Sequence, residues 1–425
     1  MPSFKSIFLA ALILAFGLKL WLLLRQMRHV RQHRALPPAV FAARIPVEDH
    51  RKAADYTLAK ARLGLLHLAV EAGLLLAFTL GGGLQWLNDL LVSPHLPTLT
   101  PLFAGTALLL GLFLIGALVE LPLNLYHQFS IEARFGFNRQ TAAGFAADLA
   151  KQAVLGLAIG GPLILLVLWL MGIMGEAWWI WVWGVWMGFN LLILMLYPTV
   201  IAPLFNKFTP LEDATLKARI EALLQRAGFT ASGVFVMDGS RRSSHGNAYF
   251  TGLGKHKRIV FFDTLLNQLN PEQIEAVLAH ELGHFKHRHI VKRIALMFVL
   301  SLGMLAMLAW LKQAPWFYAG LGVATPSDAV ALALFFLALP VFLFPMTPLM
   351  SLYSRKHEFE ADAFAANHSQ PEHLIAALVR LYRDNAATLT PDPIYSLFYD
   401  SHPKAVERIA KLEYHAQVLA PSQPA

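Results

Sequence analysis

The chain alternates between long apolar segments and shorter polar ones. A helix needs roughly 20 residues to cross a bilayer. Seven apolar segments reach about this length, at 7–24, 63–84, 102–123, 153–174, 178–197, 294–311 and 329–349. The pattern therefore predicts a mainly α-helical polytopic membrane protein with seven transmembrane helices.

Basic residues mark one side of these segments. Four arginines follow the first segment between positions 25 and 34, whereas only Lys5 precedes it. A cleaved signal peptide carries its charge before the apolar core, so we expect an uncleaved span. The positive-inside rule then predicts an N-terminus outside or in the lumen, and a cytoplasmic C-terminus after seven spans.

The polar segments divide the chain into four predicted parts. Residues 1–200 would form spans one to five, and 201–292 a cytoplasmic lobe. Residues 293–350 would form spans six and seven, and 351–425 a C-terminal cytoplasmic helical segment. In the lobe, 211–227 has helical spacing, whereas 233–237, 247–251 and 258–263 have the pattern of short strands. This predicts a small α+β lobe attached to the membrane helices.

Composition narrows the chemistry. The chain is 56% hydrophobic and 15% charged, with a mean hydropathy of +0.50, which agrees with contact with a lipid bilayer. Cysteine is absent. Disulfides and thiolate ligands are thus excluded, and histidine and carboxylate remain as strong zinc donors. The net charge is +8, and the lysines and arginines lie mainly beside the apolar segments. The positive-inside rule explains this distribution better than binding to nucleic acid would, so we expect no nucleic-acid partner.

The stretch 280–284, with sequence HELGH, carries the strongest chemical signal. Residues four apart share one face of a helix, so His280 and His284 can direct two imidazole nitrogens at one Zn²⁺. Glu281 can then act on the water that attacks a substrate. Such a short pattern also arises by chance, so the surrounding sequence must independently predict the helix that a metal site requires.

The residues before the motif predict the helix that this chemistry needs. Asn270 is a candidate N-cap, Pro271 suits the first helical position, and Gln273 stands where a capping box places its partner. Ile274 and Val277 continue with helical spacing into the motif.

A catalytic zinc site takes three protein ligands, and Glu358 is the best candidate for the third. On a helix, Glu358 and Asp362 share a face with Ala361 and Ala365, whose small side chains permit close approach of the His280 helix. Asp362 would then be free to orient an imidazole N–H.

Other readings of these residues remain open. Glu360 is a rival ligand, although it points to another side of the helix. His287 and His289 are alternative donors, but they stand among cations near a membrane face, which favours interfacial residues. A solvated acidic turn would also explain the spacing around Glu358.

Three ionisable residues lie inside or at the end of predicted spans: His67, Glu71 and Glu120. Charge is expensive in a bilayer, so such residues face a bundle interior or water, or they pair near an interface. Both alternatives stay open at this point.

Together these motifs resemble one known family. The HELGH motif, the acidic segment 358–362, SSHGNAYF at 243–250, RIVFFDTLL at 258–266 and IEARFGFN at 131–138 look like the type I CAAX prenyl proteases. The resemblance covers nearly the whole chain. It implies a seven-span membrane zinc endopeptidase of the gluzincin group.

The resemblance also implies roles for single residues. His280, His284 and Glu358 would bind one zinc ion per chain, and Glu281 would be the general base. Substrate backbone would be held by β-addition on an edge strand formed by Asn247, Ala248, Tyr249 and Phe250.

Near the C-terminus, His402 and Arg408 resemble the family's closing motif, in which the histidine lies at the active site and supports the oxyanion. Asp362 and Arg408 would support the metal ligands or the oxyanion without binding the metal themselves. The resemblance further implies a large intramembrane chamber, which would give His67, Glu71 and Glu120 a wet interior to face.

The expected function is zinc-dependent peptide-bond hydrolysis on a protein substrate, as in the C-terminal processing of prenylated CAAX proteins. One alternative is a membrane-protein quality-control protease without a prenyl requirement. A second is a non-catalytic metal-binding membrane protein or transporter. The location would be the inner or plasma membrane in a bacterium and the endoplasmic reticulum in a eukaryote.

Overall fold

The computed structural model of the protein describes residues 3–92, 99–230, 233–251 and 258–419. In this part of the chain, seven helical segments are long and apolar enough to cross a membrane: Phe4–Gln32, Val47–Phe78, Pro101–Phe135, Ala142–Ile173, Gly175–Phe205, His289–Leu311 and Asp328–His368. The predicted seven-span fold is thereby confirmed. We number these segments span one to span seven.

In the described residues, the first five spans and the segments between them contain nine helices. They are α1 (Phe4–Gln32), α2 (Ala39–Ala42), α3 (Val47–Phe78), α4 (Gly83–Val92), α5 (Pro101–Tyr126), α6 (Ala133–Phe135), α7 (Ala142–Ile173), α8 (Trp178–Leu196) and α9 (Ala202–Phe205). Two π-helical turns, His127–Glu132 and Tyr197–Ile201, and a 3₁₀ turn, Gly175–Ala177, join some of them.

Span two differs from its prediction. Its helix begins at Val47 and ends at Phe78, six residues short of the predicted end. Gly82 has φ of 75°, which suits a residue without Cβ. A Cβ on Gly83 would lie 2.7 Å from the carbonyl oxygen of Ala77. The glycines therefore allow a tight turn that separates α3 from α4.

A lobe with a small sheet follows the fifth span. It contains β1 (Phe208–Pro210), α10 (Ala214–Ala227), β2 (Gly233–Met237), a 3₁₀ turn (Gly239–Arg241), β3 (Ala248–Thr251), β4 (Arg258–Phe262), α11 (Asp263–Gln268) and α12 (Pro271–Lys286). The strand order is β1-β2-β4-β3, with β2 and β4 parallel and the outer strands antiparallel to their neighbours. The three predicted strands are present, and the short strand β1 was missed.

The chain then returns to the membrane and back to the lobe. The last elements are α13 (His289–Leu311), α14 (Pro315–Gly320), α15 (Asp328–Leu343), a 3₁₀ turn (Phe344–Met346), α16 (Thr347–His368), α17 (Pro371–Asp384), α18 (Pro393–Tyr399) and α19 (Ala405–Leu419). Positions 420–425, at the end of the predicted C-terminal segment, lie outside the described residues.

The lobe and the C-terminal helices share one hydrophobic core. Fully buried side chains come from α10, β4, α12, α16 and α17, represented by Ile220, Phe261, Ala279, Ala365 and Ala377. Burial of apolar surface is the dominant stabilising contribution in such a core. The described residues of 201–292 and of 351–419, far apart in the sequence, therefore share one core.

The three ionisable residues of the spans have charged partners. His67 Nδ1 lies 2.8 Å from Glu120 Oε2, and Lys19 donates to Glu71 over 2.6 Å. The first pair joins α3 to α5, and the second joins α1 to α3. The three residues are thus paired, while their place relative to a membrane interface and the intramembrane chamber both stay predictions.

Candidate metal centre

Helix α12 begins as its sequence predicts. The N–H of Gln273 donates to Asn270 Oδ1 over 2.9 Å, and the N–H of Asn270 donates to Gln273 Oε1 over 3.1 Å. This capping box, with Pro271 at the first helical position, satisfies N–H groups that a helix start leaves free. The HELGH motif therefore lies on a helix whose N-terminus is capped.

Helix α12 lies directly against α16. A Cβ on Gly283 would lie 2.8 Å from the Cα of Ala361 and 3.0 Å from its carbonyl oxygen. Both Ala361 and Ala365 are completely buried. A glycine inside HELGH and alanines on α16 thus bring the two backbones close enough for their side chains to meet at one point.

The three predicted ligands meet there. His280 Nε2 lies 3.3 Å from His284 Nε2 and 3.5 Å from Glu358 Oε2. The Nε2 atom of His284 lies 3.4 Å from Glu358 Oε1. His280 and Glu358 are buried and His284 is partly exposed. The structure therefore brings two imidazole nitrogens and one carboxylate to a common point.

This donor set fits a divalent metal ion. Glu358 Oε2 is buried and has no hydrogen-bond partner among the described residues. A buried carboxylate oxygen left in this way is costly, and a metal ion would satisfy it. Two histidines and one carboxylate also match the ligands of catalytic zinc sites.

The electrostatic environment supports the same conclusion. Burial by itself lowers the pKa of His280, but the neighbouring carboxylates of Asp362 and Glu358 outweigh it and raise the pKa to about 9. Burial, together with the charge of His280, lowers the pKa of His284 to about 3. The site thus favours positive charge beside the carboxylates and keeps a lone pair free on His284.

Asp362 and Arg408 support the first histidine. The Nδ1 atom of His280 lies 2.9 Å from Asp362 Oδ1. Arg408 donates to both oxygens of Asp362, from Nε over 2.8 Å and from Nη2 over 2.6 Å. Asp362 and Arg408 are both buried. Helix α19 therefore contributes a bidentate ion pair that fixes the carboxylate beside His280.

Glu281 lies on α12 within the electrostatic reach of the site, and His402 lies beside Glu358. Burial raises the pKa of Glu281, and the charges of His280, Glu358 and Arg408 also act on its carboxyl group. His402 Nε2 lies 3.5 Å from Glu358 Oε1, and its side chain is 59% exposed. His402 therefore lies on the open side of the site, where a substrate would approach.

The predicted substrate strand is the outer strand of the described sheet. Strand β3 begins at Ala248, directly after Asn247, and Phe250 packs against Phe285 of α12 with ring centroids 4.3 Å apart. The N–H of Phe262 donates to the Asn247 carbonyl over 3.0 Å. Because ladder bonds alternate in an antiparallel pair, Ala248 and Phe250 direct their backbone groups toward the open edge. Tyr249 pairs inward with Val260.

His289 is buried, while its place near a membrane face stays a prediction. His289 is only 4% exposed, and its Nδ1 lies 3.0 Å from Nδ1 of His284. Its Nε2 bonds Glu360 Oε2 over 2.8 Å. Helix α12 ends at Lys286, and Arg288, with φ of 55°, starts α13 in a new direction, which returns His289 to the site. His287, one residue before the turn, stays partly exposed.

A second cluster of contacts, around the buried Glu132, connects spans two and three to His245, which precedes the substrate strand. Glu132 accepts a hydrogen bond from Tyr56 Oη, and its Oε2 lies 3.4 Å from His245 Nε2. His245 Nδ1 contacts Asn385 Oδ1 over 3.2 Å. Both Glu132 and His245 belong to motifs that carried the family resemblance, but no local pattern shows that they meet.

Known families match both halves of the chain. A family model described as CAAX prenyl protease N-terminal, five membrane helices, matches residues 26–207. The model of peptidase family M48 matches residues 210–416. The second match contains the histidine motif, Glu358 and Arg408.

Individual relatives match over nearly the full length. The CAAX prenyl protease 1 homolog of Oryza sativa is 34% identical, covering 90% of this chain and 92% of the relative. The CAAX prenyl protease 1 of Saccharomyces cerevisiae is 35% identical, covering 95% and 93%. The crystal structure of S. mikatae Ste24p is similar with a TM-score of 0.90 and 33% identity, covering 97% of this chain and 100% of that one.

The fold and the site define an integral-membrane metallopeptidase. The peptidase model covers the metal-binding lobe, and the five-helix model covers the first spans. The chain belongs to the CAAX prenyl protease 1 family, within peptidase family M48.

Proposed function

We propose that this protein is a zinc-dependent endopeptidase that processes the C-terminus of prenylated CAAX proteins. The observation that carries the proposal is the convergence of His280, His284 and Glu358 on one point, with a buried oxygen of Glu358 left without a hydrogen-bond partner among the described residues. The names of the relatives support the substrate class.

The residues of the chain would act as follows. When bound by the three ligands, zinc supplies a Lewis acid and lowers the pKa of an attacking water. Glu281 accepts a proton from that water and passes it to the leaving amine, a role that suits a carboxyl group whose pKa is raised by burial. His402 stabilises the oxyanion from the exposed side of the site.

The substrate would lie along β3 as an added strand. The open-edge groups of Ala248 and Phe250 would bond the substrate backbone, which provides affinity without fixing its sequence. Peptides N-methylated at successive positions test this arrangement. Each N–H that bonds β3 should contribute about 0.5–1.5 kcal/mol. A loss of affinity that alternates along the peptide is expected, and a uniform response would contradict β-addition.

The chemistry is tested by Glu281→Gln. This variant should keep its metal, because Glu281 is not among the three converging ligands. Its kcat should fall by roughly 100- to 10,000-fold, which is typical for loss of a general base. Metal content and single-turnover cleavage measured on the same preparation separate binding from chemistry. Cleavage at the wild-type rate would disprove the role.

The substrate class is tested by one peptide made with and without a prenyl group on its cysteine. Higher kcat/KM for the prenylated form is expected. Equal cleavage of both forms would instead favour a quality-control protease. Failure to cleave any peptide in a broad panel, with metal bound, would favour the non-catalytic alternative.

We also infer that the metal site faces the cytoplasm and that the N-terminus lies on the other side of the membrane. The distribution of basic residues supports this orientation. Since the chain has no cysteine, single cysteines can report it directly. A thiol reagent that cannot cross the membrane should reach Lys356→Cys and Glu176→Cys from opposite sides.

A further inference from the structure

A buried contact lies on the side of His284 that faces away from the metal ligands. His284 Nε2 points to Glu358, while its Nδ1 lies 3.0 Å from Nδ1 of His289. The other nitrogen of His289, Nε2, lies 2.8 Å from Glu360 Oε2. The ring of His289 is stacked on His357 with centroids 3.9 Å apart. Packing and hydrogen bonds thus hold the His289 ring from several directions.

Only one arrangement of protons satisfies this chain of contacts. If Nε2 of His284 gives its lone pair to a metal ion, the proton of His284 must be on Nδ1. His284 then donates to Nδ1 of His289, which must accept. The proton of His289 is therefore on Nε2, where it is donated to Glu360. Each N–H donor in this series of contacts, from His284 through His289 to Glu360, then has an acceptor.

We propose that His289 and Glu360 are a positioning pair for His284, and that they set its tautomer and ring orientation without touching the metal. The inference rests on the proposed metal site. Helix α16 supports His284 from two sides, because Glu358 faces its Nε2 and Glu360 reaches it through His289. Partners of metal-bound histidines act in this way in metalloenzymes generally, and their loss costs about 10- to 100-fold in metal affinity.

The same cluster could be taken for a second metal site. Donor atoms of His287, His289 and Glu360 all lie within 4.8 Å of one another. However, His289 and Glu360 already satisfy each other. Lys356 Nζ also lies 3.9 Å from Glu360 Oε1, which opposes a further cation. These contacts favour the positioning role.

The test measures the zinc dissociation constant of the full-length protein in detergent, by competition with a chelator of known affinity. His289→Phe keeps a ring for stacking but removes the acceptor, and should raise the constant about 10- to 100-fold. His289→Asn places an amide oxygen near the former Nδ1 and should recover most of the loss. Glu360→Gln should give a smaller rise, because His284 keeps its direct partner.

His287→Gln is the matched control, since it removes a neighbouring imidazole that stacks on His289 at 5.5 Å but has no place in the proton chain. It should leave the dissociation constant unchanged. The proposal is overturned if His289→Phe lowers only the melting temperature, or if Asn rescues no better than Phe. It is also overturned if the wild type binds two zinc ions and His287→Gln removes one.

If His289→Phe does not fold, Glu360→Ala decides the question, because it removes the acceptor of His289 and the side chain of Glu360 is 30% exposed and tolerates change. Wild-type zinc affinity in Glu360→Ala would then reject the pair. These measurements do not depend on cleavage. A protein that binds zinc as expected but cleaves nothing would disprove the proposed activity alone.

Discussion

The two histidines of HELGH come from one short motif, yet their surroundings differ. The side chain of His280 is 9% exposed, and its Nδ1 meets the carboxylate of Asp362, which Arg408 holds through two hydrogen bonds. The side chain of His284 is 21% exposed, and its Nδ1 meets the imidazole of His289.

The proposed metal site would therefore orient its two histidines by two physical means. On the His280 side, a buried ion pair supplies the acceptor directly, and removing one partner leaves the other charge buried alone. On the His284 side, a neutral ring is the acceptor, and its carboxylate lies one residue further away. We therefore expect the His280 side to be more sensitive to substitution.

The largest effect is expected for Glu358→Ala, which removes the carboxylate that both imidazoles face. Zinc binding should be lost in competition with a moderate chelator, because two histidines alone do not complete a catalytic site. Metal content after dialysis measures this. Glu360→Ala removes the same type of side chain two positions along and should retain zinc with reduced affinity. Stoichiometric zinc at wild-type affinity in Glu358→Ala would move the third ligand to Glu360 or to a histidine.

The next largest effect is expected for Asp362→Asn. The amide oxygen can still accept from His280, but Arg408 loses its charged partner in a buried site. We expect the zinc dissociation constant to rise about 10- to 100-fold, and by more than in Glu360→Gln. Parallel chelator titrations of the two variants compare the two sides directly. A larger loss in Glu360→Gln would reverse the proposed ranking.

A smaller effect on metal binding is expected for Arg408→Lys. Lysine keeps the positive charge but cannot reproduce the bidentate contact with Asp362. Loss of a hydrogen bond to a charged group costs about 1.5–3 kcal/mol, so the apparent melting temperature should fall clearly. Zinc affinity should fall less than in Asp362→Asn. An unchanged melting temperature would show that the ion pair does not stabilise the contact of α19 with α16.

The smallest effect is expected for Lys356→Ala. Lys356 is 73% exposed, and its distance to Glu360 is 3.9 Å. Exposed pairs four residues apart on a helix contribute about 0.3–0.5 kcal/mol. Zinc affinity should therefore stay within twofold of the wild type. A strong change would mean that the charge on Glu360, rather than its hydrogen bond to His289, governs the His284 side.

Much of the fold could be predicted because it depends on composition over about 20 residues. Seven apolar segments predicted seven spans, and the capping residues predicted the start of α12. The predicted element boundaries differed from the structure where a few residues determine the local backbone conformation. The glycines at 81–83 ended span two early, and three residues were too few to reveal β1.

The candidate site was predictable only in part. Glu358 and Asp362 share a helix face by spacing, and the small residues beside them suggested close packing. The contact of His289 with His284 was not predicted, because five residues after His284 it would lie on another face of a continuous helix. The turn at Arg288 changes that relation, and nothing in the local sequence announces its direction.

The membrane spans and the spacing of the histidine motif could be predicted from hydrophobicity and helical periodicity, and the donor types from the residues present. The tertiary structure was needed to show which histidine each supporting group meets. Asp362, Arg408, His289 and Glu360 reach the site through the packing of α12, α13, α16 and α19. Such contacts depend on distances in space between residues that the sequence keeps far apart.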